Sequence, residues 1–227
     1  MQRRAFACIA VCFAVSAASA AEFWENKPFL EWSDREVERM LTDSPWTGLV
    51  ALPLPNRGPV PTEDGGGGRG GGRGGSSGQG FGPAPVRVRI TISWRSALPM
   101  KQAIVRQQLG QRGTITPQTR TYLDTEEEHY VIGLQGLPPQ YSTPGRGREI
   151  EVTAYLKRGD GKPPIPVQQA TPQITRGGFI MLLRFPKDDP IALADEHVEL
   201  EAKFGELQQI KKKFKLKDLV YAGRLTL

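Results

Sequence analysis

This chain has almost no cysteine. The only two cysteines, Cys8 and Cys12, lie in the first twenty residues, which have the pattern of a cleavable signal peptide. A chain that loses them has no disulfide, no thiolate metal site and no cysteine nucleophile. Histidine is nearly as scarce, since His129 and His197 are the only two. They are therefore the only side chains whose unperturbed pKa lies near neutral pH.

The signal-peptide pattern predicts export. Arg3 and Arg4 supply a positive start, Ala5–Val15 is uncharged and apolar, and Ala18–Ala20 has the small residues that signal peptidase recognises. We therefore expect residues 1–20 to be removed, and a mature protein that begins at Ala21 in the periplasm or is secreted. The apolar run is too short to cross a bilayer, so no transmembrane span is expected after cleavage. The arginine pair also leaves both the general secretory and the twin-arginine route open.

A strong charge of one sign is also lacking. The chain has 30 basic and 24 acidic residues and a net charge of +6. The two signal-peptide arginines account for two of these charges, so the exported form has a mild basic excess of +4. Such a balance is weak support for a polyanionic partner. We expect no nucleic-acid partner, and favour another envelope protein or a cell-wall component.

One segment is far too rich in glycine to fold. Residues 57–85 contain a glycine tract with proline on both sides, and we predict that they form a disordered loop. Arg69 and Arg73 each precede a glycine pair, as in the arginine-glycine boxes of RNA-binding proteins, but export favours a solvated loop. The part before the tract is too short to hold a core alone. We therefore place the loop within one domain, residues 21–227.

Two short helices are indicated by their end signals. Ser33 and Glu36 form a capping-box pattern ahead of an apolar stripe, and Pro45 ends that helix. Pro99 suits the start of a second helix that runs to Leu109.

The rest of the chain reads as short strands between glycine and proline turns. Apolar residues alternate with polar ones in several segments, and this period of two is typical of strands with one buried face. The run 179–185 is almost continuously apolar, which predicts a central strand covered on both faces. The run 167–174 is polar and contains Pro172, so we predict at best an edge strand there. The pattern favours a mostly β, sandwich-like single domain with one or two short helices, and a mixed α+β sheet is the alternative. Further strands are predicted at 47–52, 86–94, 128–134, 150–156, 198–204 and 210–216, the first two as arms of a hairpin.

The C-terminal lysines form the most conspicuous charge feature. On a strand, one outward face would carry Lys211, Lys213, Lys215 and Lys217. If that strand pairs with the preceding one, Glu199 and Glu201 lie opposite the lysines and the face is a solvated ladder of opposite charges. The alternative is a polyanion-binding surface made by these lysines together with Arg69 and Arg73.

Metal binding has only weak candidates. His129 follows three glutamates, and His197 follows Asp195 and Glu196. If their strands were adjacent, two imidazoles and a carboxylate could hold zinc, but the spacing contains no recognised metal motif. We predict no metal and no cofactor. The four tryptophans are expected in the core rather than on a carbohydrate-binding platform.

Several runs resemble a family of uncharacterised exported bacterial proteins. They are 31–34 with 41–46, then Trp94-Arg95-Ser96-Ala97-Leu98-Pro99, and finally 214–223. The resemblance implies no activity, fold or ligand, and no functional residue comes with it. It favours one coherent domain on both sides of the glycine tract.

Three functional hypotheses follow. The leading one is an exported, non-enzymatic interaction or structural module of the bacterial envelope. The second is an envelope hydrolase or metal-assisted enzyme that uses His129, His197 and neighbouring carboxylates. The third is polyanion binding through the lysine strand. We expect a non-enzymatic role, and the oligomeric state remains open.

Overall fold

A computed structural model describes most of the chain after the signal-peptide region. The described residues are 22–53, 87–110, 113–138, 141, 151–159, 161–175, 178–205, 207 and 209–227. The predicted signal peptide and the predicted disordered loop at 57–85, with Arg69 and Arg73, lie outside them.

The described residues form eleven strands and four α-helices. The strands are β1 Thr47–Pro53, β2 Arg87–Trp94, β3 His129–Gln135, β4 Val152–Arg158, β5 Ile165–Pro166, β6 Gln169–Thr175, β7 Gly178–Pro186, β8 His197–Phe204, β9 Ile210–Lys215, β10 Val220–Tyr221 and β11 Arg224–Leu225. The helices are α1 Phe23–Asn26, α2 Asp34–Thr42, α3 Leu98–Leu109 and α4 Pro117–Asp124.

Two antiparallel sheets contain most of the strands. One has the order β1-β2-β3-β7-β6 and the other β5-β4-β8-β9, while β10 and β11 form a small separate hairpin. Their inner faces share one hydrophobic core. Trp94 of the first sheet meets Phe214 of the second with ring centroids 5.7 Å apart. The mostly β, sandwich-like architecture predicted from the alternating pattern is confirmed.

The segments on either side of the glycine tract pair directly. In the antiparallel β1–β2 hairpin, Thr47 lies opposite Ser93 and Pro53 opposite Arg87. The predicted hairpin arms are therefore confirmed. The N-terminal residues also belong to the common core, because Trp32, Met40 and Trp46 are fully buried within it.

Helix α2 begins as its sequence signal predicts. The Ser33 hydroxyl accepts a hydrogen bond from the Glu36 backbone N–H, and the Glu36 carboxylate accepts from the Ser33 backbone N–H at 2.8 Å. Lys27 pairs with the same carboxylate at 2.6 Å. The hydrogen bond from Lys27, followed by the one from the Ser33 backbone, lowers the pKa of Glu36 to about 2.

All four tryptophans belong to the core, as predicted. Trp24 is 6% exposed and the other three are fully buried. The Trp46 indole N–H donates to the Thr226 carbonyl at 2.8 Å, which ties the first hairpin to the C-terminus. Their rings are consequently not available as a carbohydrate-stacking surface.

Two features differ from the sequence prediction. The described residues alone form four short α-helices, whereas the sequence predicted one or two. Helix α4 begins at Pro117, where the Thr116 hydroxyl accepts a hydrogen bond from the Thr119 backbone at 3.1 Å. Strand β6 is an edge strand as predicted, and β7 has a neighbour on each side but is only partly covered on its outer face. Its odd-numbered residues from Met181 to Phe185 face the core, whereas on the opposite face Ile180 is buried and Leu182 and Arg184 are half-buried. That outer face is the floor of the candidate site.

Candidate functional site

The two histidines lie on different sheets. His129 begins β3 in the five-stranded sheet, and its Nε2 lies 2.5 Å from the Gln168 side-chain oxygen. His197 begins β8 in the four-stranded sheet and packs against Gly159. A Cβ on Gly159 would lie 2.5 Å from the His197 ring carbon Cε1. Each imidazole therefore has its own neighbour, Gln168 for His129 and Gly159 for His197, and the two belong to different sheets.

The acids next to His197 have structural contacts. Asp195 is 1% exposed, pairs with Lys162 at 2.9 Å and accepts a hydrogen bond from the Ala192 backbone at 2.9 Å. Glu196 is exposed and has a positive φ of 58°. Within the part of the chain that the structure describes, no three histidine, cysteine, aspartate or glutamate side chains are close enough to hold a metal ion.

The predicted charge ladder pairs in the expected register. In the β8–β9 pair, Glu199 lies opposite Lys213 and Glu201 opposite Lys211. Glu201 forms ion pairs with Lys157 at 2.7 Å and Lys211 at 2.8 Å. The hydrogen bond from Lys157, followed by that from Lys211, lowers the pKa of Glu201, and Glu201 in turn raises the pKa of Lys211.

The position of Lys217 in this ladder was wrong. Strand β9 ends at Lys215, and the following 3-10 turn, Leu216–Leu219, contains Lys217. Leu216 and Leu219 are buried, and the turn that buries them carries the chain away from the ladder. The ladder therefore consists of Lys211, Lys213 and Lys215, with Lys215 opposite His197.

A cleft that the sequence did not indicate lies on the outer face of the five-stranded sheet. It has a volume of about 710 Å³ and is bordered by the outer face of β3, β7 and β6 and by side chains of α3 and α4. We call it the Arg95 cleft. Its floor is apolar, with Val131, Ile180 and Leu182, and one wall is polar, with Thr171, Gln173 and Thr175.

The strand register explains why these residues share one face. Val131 pairs with Arg184, and Leu182 pairs with both Gly133 and Thr171. Directly paired residues of antiparallel strands point to the same side of the sheet. Residues that are distant in sequence therefore form continuous rows across β3, β7 and β6.

Arg95 occupies the cleft because of a local change in pairing after β2. The backbone N–H groups of Arg95 and Ser96 both approach the Val131 carbonyl, at 2.7 and 3.4 Å, and the Ser96 hydroxyl accepts from the Val131 N–H at 3.0 Å. Arg95 and Ser96 thus lie opposite the single residue Val131. This arrangement is a β-bulge, and β-bulges redirect side chains. Gly133 leaves room for the redirected Arg95 side chain, since a Cβ at Gly133 would lie 3.0 Å from Arg95 Nε.

The Arg95 side chain is half-buried and has no ionic partner among the described residues. None of the ion pairs between described residues includes it, and its buried Nε has no hydrogen-bond partner there. Arg106 and Arg158 likewise have a buried Nε without a partner, but their terminal nitrogens donate, in Arg106 to the Gly110 carbonyl and in Arg158 to Asp189 and the Pro163 carbonyl. Burial lowers the pKa of Arg95, yet an arginine remains a cation at neutral pH.

The acid that lines the cleft, Glu127, lies beside a lysine. Lys101 of α3 is 2% exposed, donates to the Thr125 carbonyl at 2.7 Å and lies 3.6 Å from the Glu127 carboxylate. Its ammonium group also lies over the Tyr122 ring, 4.7 Å from the centroid. Burial, together with the charge of Glu127, raises the pKa of Tyr122. This wall therefore presents a neutral phenol and a carboxylate that Lys101 partly neutralises.

A second guanidinium lines the same cleft. Arg184 of β7 is half-buried, and its Nη1 lies 3.5 Å from the Gln169 side-chain oxygen. The positive charges of Arg184, Arg95 and Lys101 outnumber the negative charge of Glu127, so we expect a positive electrostatic potential in the cleft. This combination suits an anionic ligand.

The sequence did contain part of this signal. Arg95 belongs to the run 94–99 that carries the family resemblance, but a single arginine after a strand predicts nothing specific. The run that contains Arg184 was predicted as a strand covered on both faces, and the polar run that contains Thr171 and Gln173 as an edge strand at best. Only the pairing of β3, β7 and β6 brings them together under α3 and α4.

No helix among the described residues has the length and hydropathy that a membrane crossing requires. No protein-family profile, curated protein or solved structure matches this chain.

Proposed function

We propose that this chain is an exported, non-enzymatic interaction module of the bacterial envelope, and that the Arg95 cleft is its binding site. The partner would be another envelope protein or a cell-wall component. The family resemblance and the signal-peptide pattern support the location. The cleft supports the binding role, and it replaces the histidines and the lysine strand as the leading candidate site.

One observation carries the proposal: Arg95, a half-buried arginine whose Nε has no hydrogen-bond partner and which forms no ion pair among the described residues, lines a cleft of about 710 Å³. Buried polar groups in proteins are nearly always hydrogen-bonded, because leaving one unsatisfied costs about 1–3 kcal/mol. An exception in a cleft calls for a reason, and a ligand that supplies the missing acceptor is one. The volume also lies within the range of about 300–1,000 Å³ that is usual for small-molecule sites.

The chemistry of the walls is that of a binding site. The floor provides aliphatic surface at Val131, Ile180 and Leu182, while threonine hydroxyls and a glutamine amide provide a few fixed polar groups. Apolar walls with a small number of placed polar groups are typical of ligand pockets. The two guanidinium groups add a preference for negative charge.

A fragment titration tests the binding role. Mature protein labelled with ¹⁵N would be titrated with a defined set of small acids, amines, amides and saccharides while backbone amide shifts are recorded. We expect at least one chemical class to move the amides of Val131, Leu182 and Gln173, and to leave those of Glu199 and Lys213 on the opposite sheet unchanged.

Two matched variants localise the effect. Thr171→Trp places a large side chain in the cleft from an edge strand, where aromatic residues are tolerated. It should abolish the shifts at an unchanged melting temperature. Thr153→Trp, at an exposed position of β4, should leave them intact. If no class moves the cleft amides, or if Thr171→Trp does not affect them, the proposal is wrong.

A further inference from the structure

We infer that the ligand of the Arg95 cleft carries a single carboxylate, bound by the Arg95 guanidinium, on a body with an apolar face. This inference rests on the proposed function and specifies the chemical class that the cleft selects.

The free donors of Arg95 determine the headgroup. A guanidinium can present two N–H groups side by side from its terminal nitrogens, and a carboxylate accepts both at once in a bidentate pair. The Nε of Arg95 is sealed against the sheet at Gly133, but Arg95 lines the cleft and none of the ion pairs between described residues includes it. One free edge matches one carboxylate, whereas a phosphate dianion has further oxygens and charge that one edge does not satisfy.

The position of this donor is fixed by its surroundings. The bulge at Arg95 and Ser96 directs the side chain onto the sheet, and the missing Cβ of Gly133 lets it lie close to the strand. Ile180 Cδ1 would lie only 2.5 Å from a Cβ at Gly133, so the Ile180 side chain also packs over Gly133 and limits the space available to Arg95. A preorganised donor loses little conformational entropy when its ligand arrives.

The floor determines the body of the ligand. Leu182 and Ile180 lie beside Gly133 and Gln135 in the strand register, and Val131 continues the apolar surface toward Arg184. An aliphatic or aromatic group attached to the carboxylate would cover these side chains. Thr171 and Gln173, opposite Leu182 and Ile180 on β6, would contact the polar edge of that group.

The charges around the cleft disfavour an amine. Arg95 and Arg184 both line it, and Glu127 is the acid among its lining residues. Glu127 already lies 3.6 Å from the Lys101 ammonium. An ammonium ligand would therefore meet two cations and an acid that is partly neutralised.

Four probes with one body separate these predictions: 4-phenylbutyrate, its primary amide, 4-phenylbutylamine and 3-phenylpropylphosphonate. Binding would be measured by calorimetry and by the amide shifts of Val131 and Leu182. We expect the acid to bind at least about tenfold more tightly than the amide, the amine and the phosphonate, since charge-assisted hydrogen bonds differ from neutral ones by about this factor.

Variants at Arg95 test the named donor. Arg95→Gln should weaken the acid at least about tenfold and leave the amide unchanged, and Arg95→Lys should restore only part of the affinity, because lysine keeps the charge and loses the bidentate edge. Lys203→Gln is the matched control, since it removes one positive charge from an exposed position of the other sheet. It should change neither affinity.

The outcomes distinguish the inference from the proposed function. If the amide, the amine or the phosphonate binds in the cleft as tightly as the acid, or if Arg95→Gln leaves the acid unaffected, the carboxylate inference is wrong while the cleft remains a binding site. If none of the four probes binds but another fragment class moves the cleft amides, the carboxylate inference is again wrong and the cleft is again a binding site. If no class at all moves them, both proposals fail.

Discussion

At the scale of single residues, we expect Arg95 to lower the stability of the free protein and to be retained because it binds the proposed ligand. A buried charge without a partner destabilises a fold, and replacing it with an apolar side chain of similar size often stabilises the protein. Binding sites commonly retain such unfavourable groups because the ligand compensates them. We therefore expect Arg95 to destabilise the ligand-free protein.

Replacing Arg95 with leucine tests this cost. We predict that Arg95→Leu raises the free energy of unfolding by about 1 kcal/mol, which corresponds to about 2–4 °C in melting temperature for a chain of this size. Differential scanning calorimetry of the ligand-free protein measures it.

Arg158 provides the opposite case in the same protein. Its guanidinium is buried but pairs with Asp189 at 2.8 Å and donates to the Pro163 carbonyl at 3.1 Å. Arg158→Leu should therefore lower the melting temperature, because those partners lose their donor. Equal destabilisation by both substitutions would show that Arg95 has an interaction in the folded state that this account lacks.

At the scale of elements, the start of α2 is the best-defined local interaction. Glu36 closes the capping box and pairs with Lys27, and its pKa falls from 4.5 to about 2. A carboxylate whose pKa is lowered in the folded state stabilises the fold above its unfolded pKa. That stabilisation is lost as the pH falls from about 4.5 toward about 2.

A neutral substitution at Glu36 tests this dependence. We predict that Glu36→Gln lowers the free energy of unfolding by about 1 kcal/mol at pH 7, a modest value because the pair is partly exposed. The difference from the wild type should shrink as the pH falls below about 4.5. Urea denaturation between pH 2 and pH 7 checks it, with the exposed Glu38→Gln of the same helix as control. A difference that persists unchanged at the lowest pH would contradict the assignment to the ionised carboxylate.

The lysine ladder on β8 and β9 is a second element with a clear expectation. Glu199 and Glu201 lie opposite Lys213 and Lys211, and Glu201 already pairs with Lys211 of the ladder and with Lys157 of β4. Ion pairs with solvent-exposed lysines contribute little stability, but they reduce the positive electrostatic field that a polyanion would meet.

Heparin binding measures the positive electrostatic field of the lysine ladder. We predict that the mature protein elutes from heparin at or below ~150 mM salt, where exposed charges are largely screened beyond about 8 Å. Retention to much higher salt, lost on Lys211→Gln and Lys213→Gln, would instead favour the polyanion hypothesis.

Sequence reasoning succeeded where a feature depends on near neighbours. The alternation in β2 and β8, the capping box at Ser33 and the edge position of the strand with Pro172 all follow from local patterns. Helix α4 was missed because eight residues with little apolar surface give almost no periodic signal. Its Thr116 cap and Pro117 start were the available clue.

At the scale of the whole molecule, the cleft could not be predicted because its parts meet only through long-range pairing. Gly133 and Leu182 are neighbours only through the β3–β7 register. Their residue types carry no signal alone, since a glycine in a strand or an outward arginine has many explanations. The polar character of β6, which marked it as an edge, is also what makes it a wall of the cleft.

The proposed export also concerns the whole molecule, and it predicts a defined mature N-terminus. When the full chain is expressed in a bacterial host, we expect intact-mass measurement of the recovered protein to show removal of residues 1–20 and a start at Ala21. Both cysteines would then be lost, so treatment with a thiol reagent should add no mass. Recovery of the chain with Met1 to Ala20 and two reactive thiols would contradict the predicted location.

The central claim is that Arg95 holds an anionic ligand in the cleft, and its own side-chain signal tests this most directly. The Nη–H resonances of Arg95, assigned by their absence in Arg95→Lys, would be followed by ¹H–¹⁵N spectroscopy at low temperature while 4-phenylbutyrate is added. We predict a saturable downfield shift of these protons together with shifts of the Val131 and Leu182 amides, as expected when a free N–H forms a charge-assisted hydrogen bond. Nη–H signals that stay in place while the acid saturates the protein would contradict the claim.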